Sequence, residues 1–305
     1  MVSLVKKGAQ VRVPVMTLHA RLSAYGRLMR IDKPIGIFLL LWPTLWALWI
    51  AGEGHPDGQV VLIFAAGVFL MRSAGCVIND YADRNFDPHV ERTKARPLAA
   101  GEVSPREAIL LFALLCLTAF GLVLMTNTLT VMLSFGAVAL AALYPFMKRY
   151  THWPQVFLGA AFSMAVPMAF AALTGEVPAA AWLIFIANIC WVVAYDTMYA
   201  MVDIEDDLQI GVKSTAILFG NRCREIVGLF QLAFIAIMIA VGLSFGLGLP
   251  YFAGVAVAAA IAIYHQTLIF RRDRKLCFRA FLNNNYIGAA LFVAIVLNYA
   301  QFLAD

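Results

Sequence analysis

Apolar windows long enough to cross a membrane recur along the whole sequence, and they limit the possible folds more than any other feature. Each window is about as long as a helix that crosses the roughly 30 Å hydrocarbon core of a bilayer. Because backbone polar groups cannot stay unpaired in lipid, the windows are predicted to be helices. The nine windows are Ile35–Ala51, Gln59–Ile78, Ala108–Met125, Leu129–Met147, Gln155–Leu173, Ala179–Tyr195, Ile226–Leu247, Tyr251–Phe270 and Asn285–Phe302.

The composition agrees with a membrane protein, because 62% of the residues are hydrophobic and only 13% are charged. A mean hydropathy of +0.81 lies well outside the range of soluble globular domains. We predict an all-α, polytopic membrane helical bundle of about nine transmembrane helices around a central cavity. A cytoplasmic extension with an interfacial helix is predicted over residues 1–34, and one transmembrane domain over 35–305. That domain is predicted to contain two pseudo-repeated halves, residues 35–150 and 151–305.

The distribution of basic residues predicts the orientation of the spans. Every lysine and arginine except Arg72 lies in the N-terminal segment or in the loops after the second, fourth, sixth and eighth windows. The remaining loops carry Glu53, Asp57 and Glu176 but no basic residue. By the positive-inside rule, the N-terminus is expected in the cytoplasm and the C-terminus outside. Topology thereby explains the net charge of +5, and nucleic acid is not expected as a partner.

The N-terminal segment and the cysteines and histidines indicate no other kind of site. The first 23 residues are basic and lack an uninterrupted apolar core, which predicts a cytoplasmic extension rather than a signal peptide. Arg30 and Lys33 are secondary candidates for anion binding, although anchoring to lipid head groups is their default role. The five cysteines show no CxxC pairing and are expected to be free thiols. No two histidines stand four residues apart, which excludes a zinc site of the HExxH kind.

The second window ends in an acidic motif that contains Asn79, Asp80, Asp83 and Asp87. If the helix continued through this motif, Asn79, Asp83 and Asp87 would share one face, with Arg72 upstream on nearly the same face. Like charges at this spacing destabilise a helix unless a cation neutralises them. Mg²⁺ prefers such oxygen ligands and takes one or two carboxylates per ion. The motif therefore indicates either a magnesium site or a solvated acidic loop.

The sixth window leads into a second acidic motif. Asp196, Tyr199, Asp203 and Asp207 stand at i, i+3, i+7 and i+11, which places them on one face of one helix. Four windows separate the two motifs, so both are expected on the cytoplasmic side, at matching places in the two halves. Internal repeats of this kind are common in membrane bundles built around a central site.

Basic and phenolic residues accompany the two motifs. Tyr144 and Lys148 stand four residues apart near the end of the fourth window, Arg149 follows, and Lys213 lies after the second motif. Arg72 is expected to have a partner, because a charge within a span costs about 2.5 to 3.5 kcal/mol. Acids beside cations suit a diphosphate held with Mg²⁺ better than a naked metal ion. A transporter with ion-binding aspartates is the alternative, although its acids are expected near the midplane of the membrane.

These residues resemble those of the UbiA superfamily of membrane prenyltransferases. The string from Asn79 to Asp87 resembles the first aspartate-rich motif of that family, and the string from Asp196 to Asp207 resembles the second. Residues 41–47 (LWPTLWA), 144–149 (YPFMKR) and 213–215 (KST) are similar to the bacterial 4-hydroxybenzoate polyprenyltransferases of ubiquinone synthesis. The similarity covers essentially the whole chain and favours the branch that acts on aromatic acids.

The resemblance implies Mg²⁺-dependent transfer of a polyprenyl group from polyprenyl diphosphate to 4-hydroxybenzoate, at the cytoplasmic side of a bacterial inner membrane. Metal binding is implied for Asn79, Asp83, Asp87, Asp203 and Asp207. Substrate binding is implied for Arg72, Tyr144, Lys148, Arg149, Tyr199 and Lys213. Asp80 or Asp196 would polarise the phenol or accept the ring proton, and Arg149 or Arg72 would bind the substrate carboxylate. Homogentisate or a naphthoate stays open as the acceptor.

Overall fold

The computed structural model describes residues 17–85, 87–89 and 93–301, and every regular element within these ranges is a helix. The α-helices are α1 Leu18–Leu28, α2 Ile35–Ala51, α3 Gly58–Asp83, α4 Pro105–Val123, α5 Thr128–Tyr150, α6 Pro154–Ser163, α7 Ala165–Thr174, α8 Ala179–Ile210, α9 Thr215–Phe219, α10 Cys223–Ser244, α11 Leu249–Leu268 and α12 Arg274–Gln301. Short 3₁₀ helices cover Asp87–His89 and Gly220–Arg222.

The structure confirms the predicted all-α membrane architecture. Among the described residues, eight helical segments are long and apolar enough to cross a membrane, and the 17-residue α2 is a shorter apolar helix. These nine segments correspond to the nine apolar windows of the sequence. Two helices extend far beyond their windows, because α8 continues to Ile210 and α12 already begins at Arg274. Polar residues occupy both extensions, so a search for apolar windows does not include them.

The described residues form two compact units. The smaller unit combines the residues up to Lys33 with Ser73–Leu115, and the larger unit combines Pro34–Arg72 with the chain from Cys116 onward. The predicted division into two pseudo-repeated halves stays a prediction.

In the larger unit, α8 and α12 are the helices around which the others pack. α8 contacts α6, α10 and α12, while α12 also contacts α2 and α11. The core contains Trp46, Trp191 and Phe234, whose rings lie 5.3 to 6.4 Å apart. The indole N–H groups of the two tryptophans donate to the Gly288 carbonyl at 3.0 Å and to the Asn284 side chain at 2.9 Å. Their polar atoms are thus satisfied inside an apolar core.

A close approach between α2 and α12 depends on a glycine. A Cβ atom at Gly288 would lie 2.2 Å from the Trp42 ring, so no larger residue fits there. The Trp42 indole donates to the Asn285 side chain at 2.8 Å, which fixes the ring against α12. Gly288 therefore serves the packing of α2 against α12.

The window Gln155–Leu173 is interrupted, because α6 ends at Ser163 and α7 begins at Ala165. Pro167 lacks an N–H group and its ring crowds the carbonyl of residue 163, so the helix breaks at that point. The Ser163 hydroxyl donates to the Gly159 carbonyl at 2.7 Å and accepts from the Asn188 amide at 2.9 Å. These hydrogen bonds tie the break to α8.

In the smaller unit, α1 lies within the segment that the sequence predicts to carry an interfacial helix. Leu28 is fully buried, whereas Leu18 is 75% exposed and Leu22 is 59% exposed. The Tyr25 hydroxyl donates to Glu107 at 2.8 Å, and Arg27 is ion-paired with Glu102. One face of α1 is therefore attached to α4 and to the segment before it, while Leu18 and Leu22 form an exposed apolar face. The position of this face in a membrane interface stays a prediction.

Candidate functional site

The first acidic motif is divided between a helix end and a separate turn. α3 ends at Asp83, and Asp87 begins a 3₁₀ helix, so the prediction that Asp87 continues the same helical face is wrong. An α-helix cannot continue through Pro88, because proline lacks an N–H group and its ring crowds the carbonyl four residues before it, that of Arg84. Arg84 donates to the Tyr81 carbonyl at 2.7 Å and its guanidinium lies 4.3 Å from the Tyr81 ring centroid. Arg84 thus satisfies one of the carbonyls at the end of the helix.

Two arginines hold the carboxylates of this motif. Arg30 donates to both oxygens of Asp80 at 2.8 Å. Arg96 donates to Asp80 at 3.0 Å and to Asp87 at 3.0 Å, so it bridges the helix and the turn. Asp80 is only 1% exposed, and a carboxylate so deeply buried requires pairing of this kind. Arg30 was a secondary candidate in the sequence, and the role of Arg96 was not predicted.

The backbone conformation of Arg30 directs its side chain towards Asp80. Its φ of 60° is left-handed, a conformation that few residues other than glycine adopt. The guanidinium also donates to the Arg27 carbonyl at 2.8 Å, next to its ion pair with Asp80. The turn after α1 therefore presents the Arg30 side chain to the acidic motif.

Burial and nearby charges both shift the pKa of Asp87, which is 6% exposed. Burial raises the pKa of Asp87, the Arg96 guanidinium lowers it, and the carboxylates of Asp80 and Asp83 raise it further. The three carboxylates of the motif are therefore close enough to repel one another. Arg96 reduces this repulsion, and a bound cation would reduce it further.

The second acidic motif lies on one unbroken helix, as the sequence predicted. Asp196, Tyr199, Asp203 and Asp207 all belong to α8, and Asp203 is 7% exposed. The Tyr199 ring packs against Phe281 of α12 at a centroid distance of 4.8 Å. Helix geometry and aromatic packing therefore determine where these acidic side chains lie.

Loop and hydroxyl contacts fix the residues around α8. The backbone N–H of Lys213 donates to the Lys148 carbonyl at 2.9 Å, and its side chain donates to the Tyr150 carbonyl at 3.2 Å. The hydroxyls of Thr197 and Thr215 lie 2.6 Å apart. The backbones of two predicted site residues, Lys148 and Lys213, are thus brought together by the chain that leaves α8.

Arg72 lies within the electrostatic reach of an acidic residue of α8. The positive charge of Arg72 interacts electrostatically with the Asp196 carboxyl group and with the Tyr195 hydroxyl, both on α8. The Tyr144 hydroxyl also interacts electrostatically with Tyr195. A Cβ atom at Gly36 would lie 2.4 Å from Arg72 Nε, so the guanidinium fits against α2 only because residue 36 is glycine. Three predicted site residues, Arg72, Tyr144 and Asp196, therefore share one neighbourhood within the larger unit.

The remaining predicted residues have different environments. Asn79 is partly buried in the last turns of α3. Arg149 is exposed near the end of α5, with its guanidinium 5.7 Å from the Phe146 ring centroid. An exposed arginine can meet a soluble anion, whereas Asn79 offers an amide oxygen beside the first acidic motif. The assigned roles of both residues stay predictions.

The two acidic motifs suit a magnesium ion that takes few ligands from the protein and the rest from water and phosphate. Over the described residues of either unit, no three acidic, cysteine or histidine side chains converge enough to hold an ion by themselves. Mg²⁺ commonly takes one or two protein carboxylates and completes its octahedron with water and phosphate. Buried carboxylates such as Asp83 and Asp203 suit that binding mode, while Asp80 is already paired with two arginines.

Comparisons with known proteins agree with the resemblance seen in the sequence. The model of the UbiA prenyltransferase family matches residues 40–296. The chain is 63% identical to a 4-hydroxybenzoate octaprenyltransferase of Nitrosococcus oceani, over 92% of this chain and 99% of the relative. It is 60% identical to a protein of the same name from Methylococcus capsulatus, over 93% of this chain and 97% of the relative.

Solved structures share the fold. A UbiA homolog from Aeropyrum pernix K1 superposes with a TM-score of 0.75 at 27% identity, covering 85% of this chain and 97% of the homolog. A UbiA homolog from Archaeoglobus fulgidus, solved with GPP and Mg²⁺, gives a TM-score of 0.70 at 20% identity. That likeness covers 91% of this chain and 99% of the homolog, and it supports the fold alone.

Proposed function

Because the chain belongs to the UbiA prenyltransferase family, we propose that it transfers a polyprenyl group to the ring carbon ortho to the hydroxyl of 4-hydroxybenzoate. The observation that carries this proposal is the high identity, along nearly the whole chain, to relatives named 4-hydroxybenzoate octaprenyltransferase. The donor is a polyprenyl diphosphate. The long apolar helices place the enzyme in a bilayer, where the donor's tail also resides.

The two acidic motifs bind the diphosphate end of the donor. Asn79, Asp83 and Asp87 of the first motif and Asp203 and Asp207 of the second would hold Mg²⁺. An Mg²⁺ ion held by these residues would supply the positive charge that neutralises the diphosphate as the allylic C–O bond breaks. The positions of Asp83 and Asp203 support this assignment, since Asp83 is the last residue of α3, Asp203 lies about two turns before the end of α8, and both are buried acidic side chains.

Cationic side chains bind the remaining anionic groups. Lys148 and Lys213, which the loop after α8 brings together, are the candidates for diphosphate oxygens. Arg149 is the candidate for the carboxylate of the acceptor, since its exposed guanidinium can meet a soluble anion, and Arg72 is the alternative. Tyr144 and Tyr199 contribute phenol groups to the substrate-binding surface.

Asp196 is the better candidate for the group that accepts a proton from the acceptor. Asp80 shares this role in the sequence-based hypothesis, but its oxygens already accept hydrogen bonds from Arg30 and Arg96. An acid paired with two guanidiniums is a poor base, because protonation would break both ion pairs. Asp80 instead positions Arg96 beside Asp87.

The site is placed at the cytoplasmic side of a bacterial inner membrane, with the N-terminus in the cytoplasm. The positive-inside distribution of lysine and arginine supports this orientation. The polyprenyl tail stays in the hydrocarbon, since each CH₂ group removed from water contributes about 0.8 kcal/mol. The soluble acid and the diphosphate then meet at the membrane surface.

The proposed function is tested by a membrane assay with labelled polyprenyl diphosphate and a panel of aromatic acceptors, each with and without EDTA. We expect transfer to 4-hydroxybenzoate that EDTA abolishes. Preferred transfer to homogentisate or to a naphthoate would overturn the proposed acceptor. Absence of transfer to every acceptor, together with ion flux across the membrane, would favour the transporter instead.

A further inference from the structure

One nitrogen atom of Arg96 contacts two carboxylates of the first acidic motif. Arg96 Nη1 lies 3.0 Å from Asp80 Oδ1 and 3.0 Å from Asp87 Oδ2. The Arg96 side chain is 17% exposed and that of Asp87 is 8% exposed, so the contact is largely shielded from water. Asp87 is also one of the residues assigned to Mg²⁺. A cation of the protein therefore already occupies one oxygen of a proposed metal ligand.

The two carboxylates depend on Arg96 to different degrees. Arg30 donates to both oxygens of Asp80 at 2.8 Å, so Asp80 has two guanidinium partners. Among the described residues, Arg96 is the only side chain that donates to the Asp87 carboxylate. Arg96 can therefore leave Asp87 and keep its ion pair with Asp80.

Hydrogen bonds to the backbone hold this turn without the Arg96 guanidinium. The Thr93 hydroxyl donates to the Asp87 carbonyl at 2.9 Å, and the Arg96 backbone N–H donates to the Thr93 carbonyl at 2.9 Å. The backbone N–H of Ala100 donates to the Arg96 carbonyl at 2.8 Å. Because these bonds fix the main chain of both residues, only the end of the Arg96 side chain has to move for its contact with Asp87 to open.

The charges of the motif favour exchange of one cation for another at Asp87. Burial raises the pKa of Asp87, the Arg96 guanidinium lowers it, and the carboxylates of Asp80 and Asp83 raise it further. The negative charge around Asp87 thus exceeds what one guanidinium neutralises. A guanidinium and a divalent cation repel each other at contact distance, so they compete for the same carboxylate.

We propose that Arg96 is the internal counter-ion of the first acidic motif and competes with Mg²⁺ for Asp87. Arg96 leaves Asp87 and stays on Asp80 when the ion binds. This inference rests on the proposed function, since that function assigns Asp87 to Mg²⁺, and it makes Arg96 a positioning residue. The contact keeps the motif assembled without metal and lowers the affinity of the motif for Mg²⁺ alone.

The test compares Arg96→Gln with Arg30→Gln during titration with Mg²⁺ alone, without diphosphate. Both arginines are largely buried and pair with Asp80, but only Arg96 contacts Asp87. The readout is the Mg²⁺ concentration that gives half of the maximal rise in unfolding temperature in detergent. It should fall about tenfold in Arg96→Gln, as for the loss of one competing charge-assisted contact, and stay unchanged in Arg30→Gln. No fall in Arg96→Gln, or an equal fall in both variants, would overturn the inference.

A double-mutant cycle assigns the effect to Asp87. In an Asp87→Asn background the competition is lost, so adding Arg96→Gln should no longer lower the half-maximal Mg²⁺ concentration. A tenfold fall that persists in this background would show that Arg96 acts on another ligand, and the inference would be wrong.

The outcome also decides the inference if Arg96→Gln is unstable without metal. A variant that folds only when Mg²⁺ is present would support it, because the ion then takes the place of the missing counter-ion. A variant that stays unfolded at a Mg²⁺ concentration that saturates the wild type would overturn it.

Metal titration and turnover separate this inference from the proposed function. Prenyl transfer to 4-hydroxybenzoate without the expected difference between the two arginine variants would overturn the inference and leave the function intact. The expected difference in protein that transfers no prenyl group would overturn the function and leave the competition at Asp87 supported.

Discussion

The two acidic motifs look alike in the sequence, but different forces hold their side chains in place. In the first motif, Arg30 and Arg96 bind Asp80, and Arg96 also binds Asp87. In the second motif, one continuous helix and contacts with α9 and α12 position the side chains, as with the Tyr199 ring on Phe281. The first motif is therefore organised mainly by charge, and the second mainly by helix geometry and packing.

This difference has a physical cause. A helix that continues through an acidic motif fixes the direction of each side chain by its own geometry. A helix that ends within the motif leaves the later residues to a turn, and their positions then depend on contacts that are distant in sequence. Arg30 is 50 residues from Asp80, so the first motif depends on a part of the chain that the motif itself does not reveal.

The largest effect is expected when a metal-binding carboxylate is lost from either motif. Asp83→Asn and Asp203→Asn should each reduce turnover at least about a hundredfold, because each removes negative charge that would bind Mg²⁺. Glu205→Gln is the control, since Glu205 is also on α8 but its side chain is 80% exposed and pairs with Arg274. A large loss in only one of the two aspartate variants would break the comparison between the motifs.

A smaller effect, on stability, is expected from the arginine that holds the first motif. Arg96→Ala leaves the buried carboxylate of Asp80 without one of its partners, which costs about 3 kcal/mol or more. Arg274→Ala is the matched control, because its ion pair with Glu205 is exposed and should be worth at most about 1 kcal/mol. Thermal unfolding in detergent measures both, and equal losses would show that charge does not organise the first motif.

The smallest effect is expected from a change that moves Arg72 without removing it. In Gly36→Ala the new methyl group would meet the flexible end of the Arg72 side chain at 2.4 Å, so the guanidinium must shift. Turnover should fall about tenfold while the unfolding temperature changes little, because only a side-chain end is displaced. Gly67→Ala in the same helix as Arg72 has no atom within 4 Å and should keep wild-type turnover. Wild-type turnover in Gly36→Ala would remove Arg72 from the site.

Much of the fold follows from the sequence, since the nine apolar windows correspond to eight long helices and the shorter α2. The placement of Asp196, Tyr199, Asp203 and Asp207 on one helix was also predictable, because a helical period needs no distant contact. The end of α8 and the start of α12 could not be predicted, because polar residues continue both helices beyond their apolar windows. The end of α3 was missed although Pro88 was a visible signal.

Two contacts near the site depend on the folded chain. The left-handed backbone that directs Arg30 to Asp80 has no local pattern, since Arg30 is not a glycine. Arg96 was one of several basic residues after the first motif, and only the structure selects it as the bridge to Asp87.

The most direct test of the account is Mg²⁺-dependent binding of an unreactive prenyl thiolodiphosphate to the wild type, Asp83→Asn and Asp203→Asn in detergent. The account predicts binding to the wild type that EDTA abolishes, and at least a tenfold weaker dissociation constant in each variant, because the proposed function assigns Mg²⁺ ligands to each motif. A wild-type dissociation constant in either variant, or binding that is insensitive to EDTA, would contradict it.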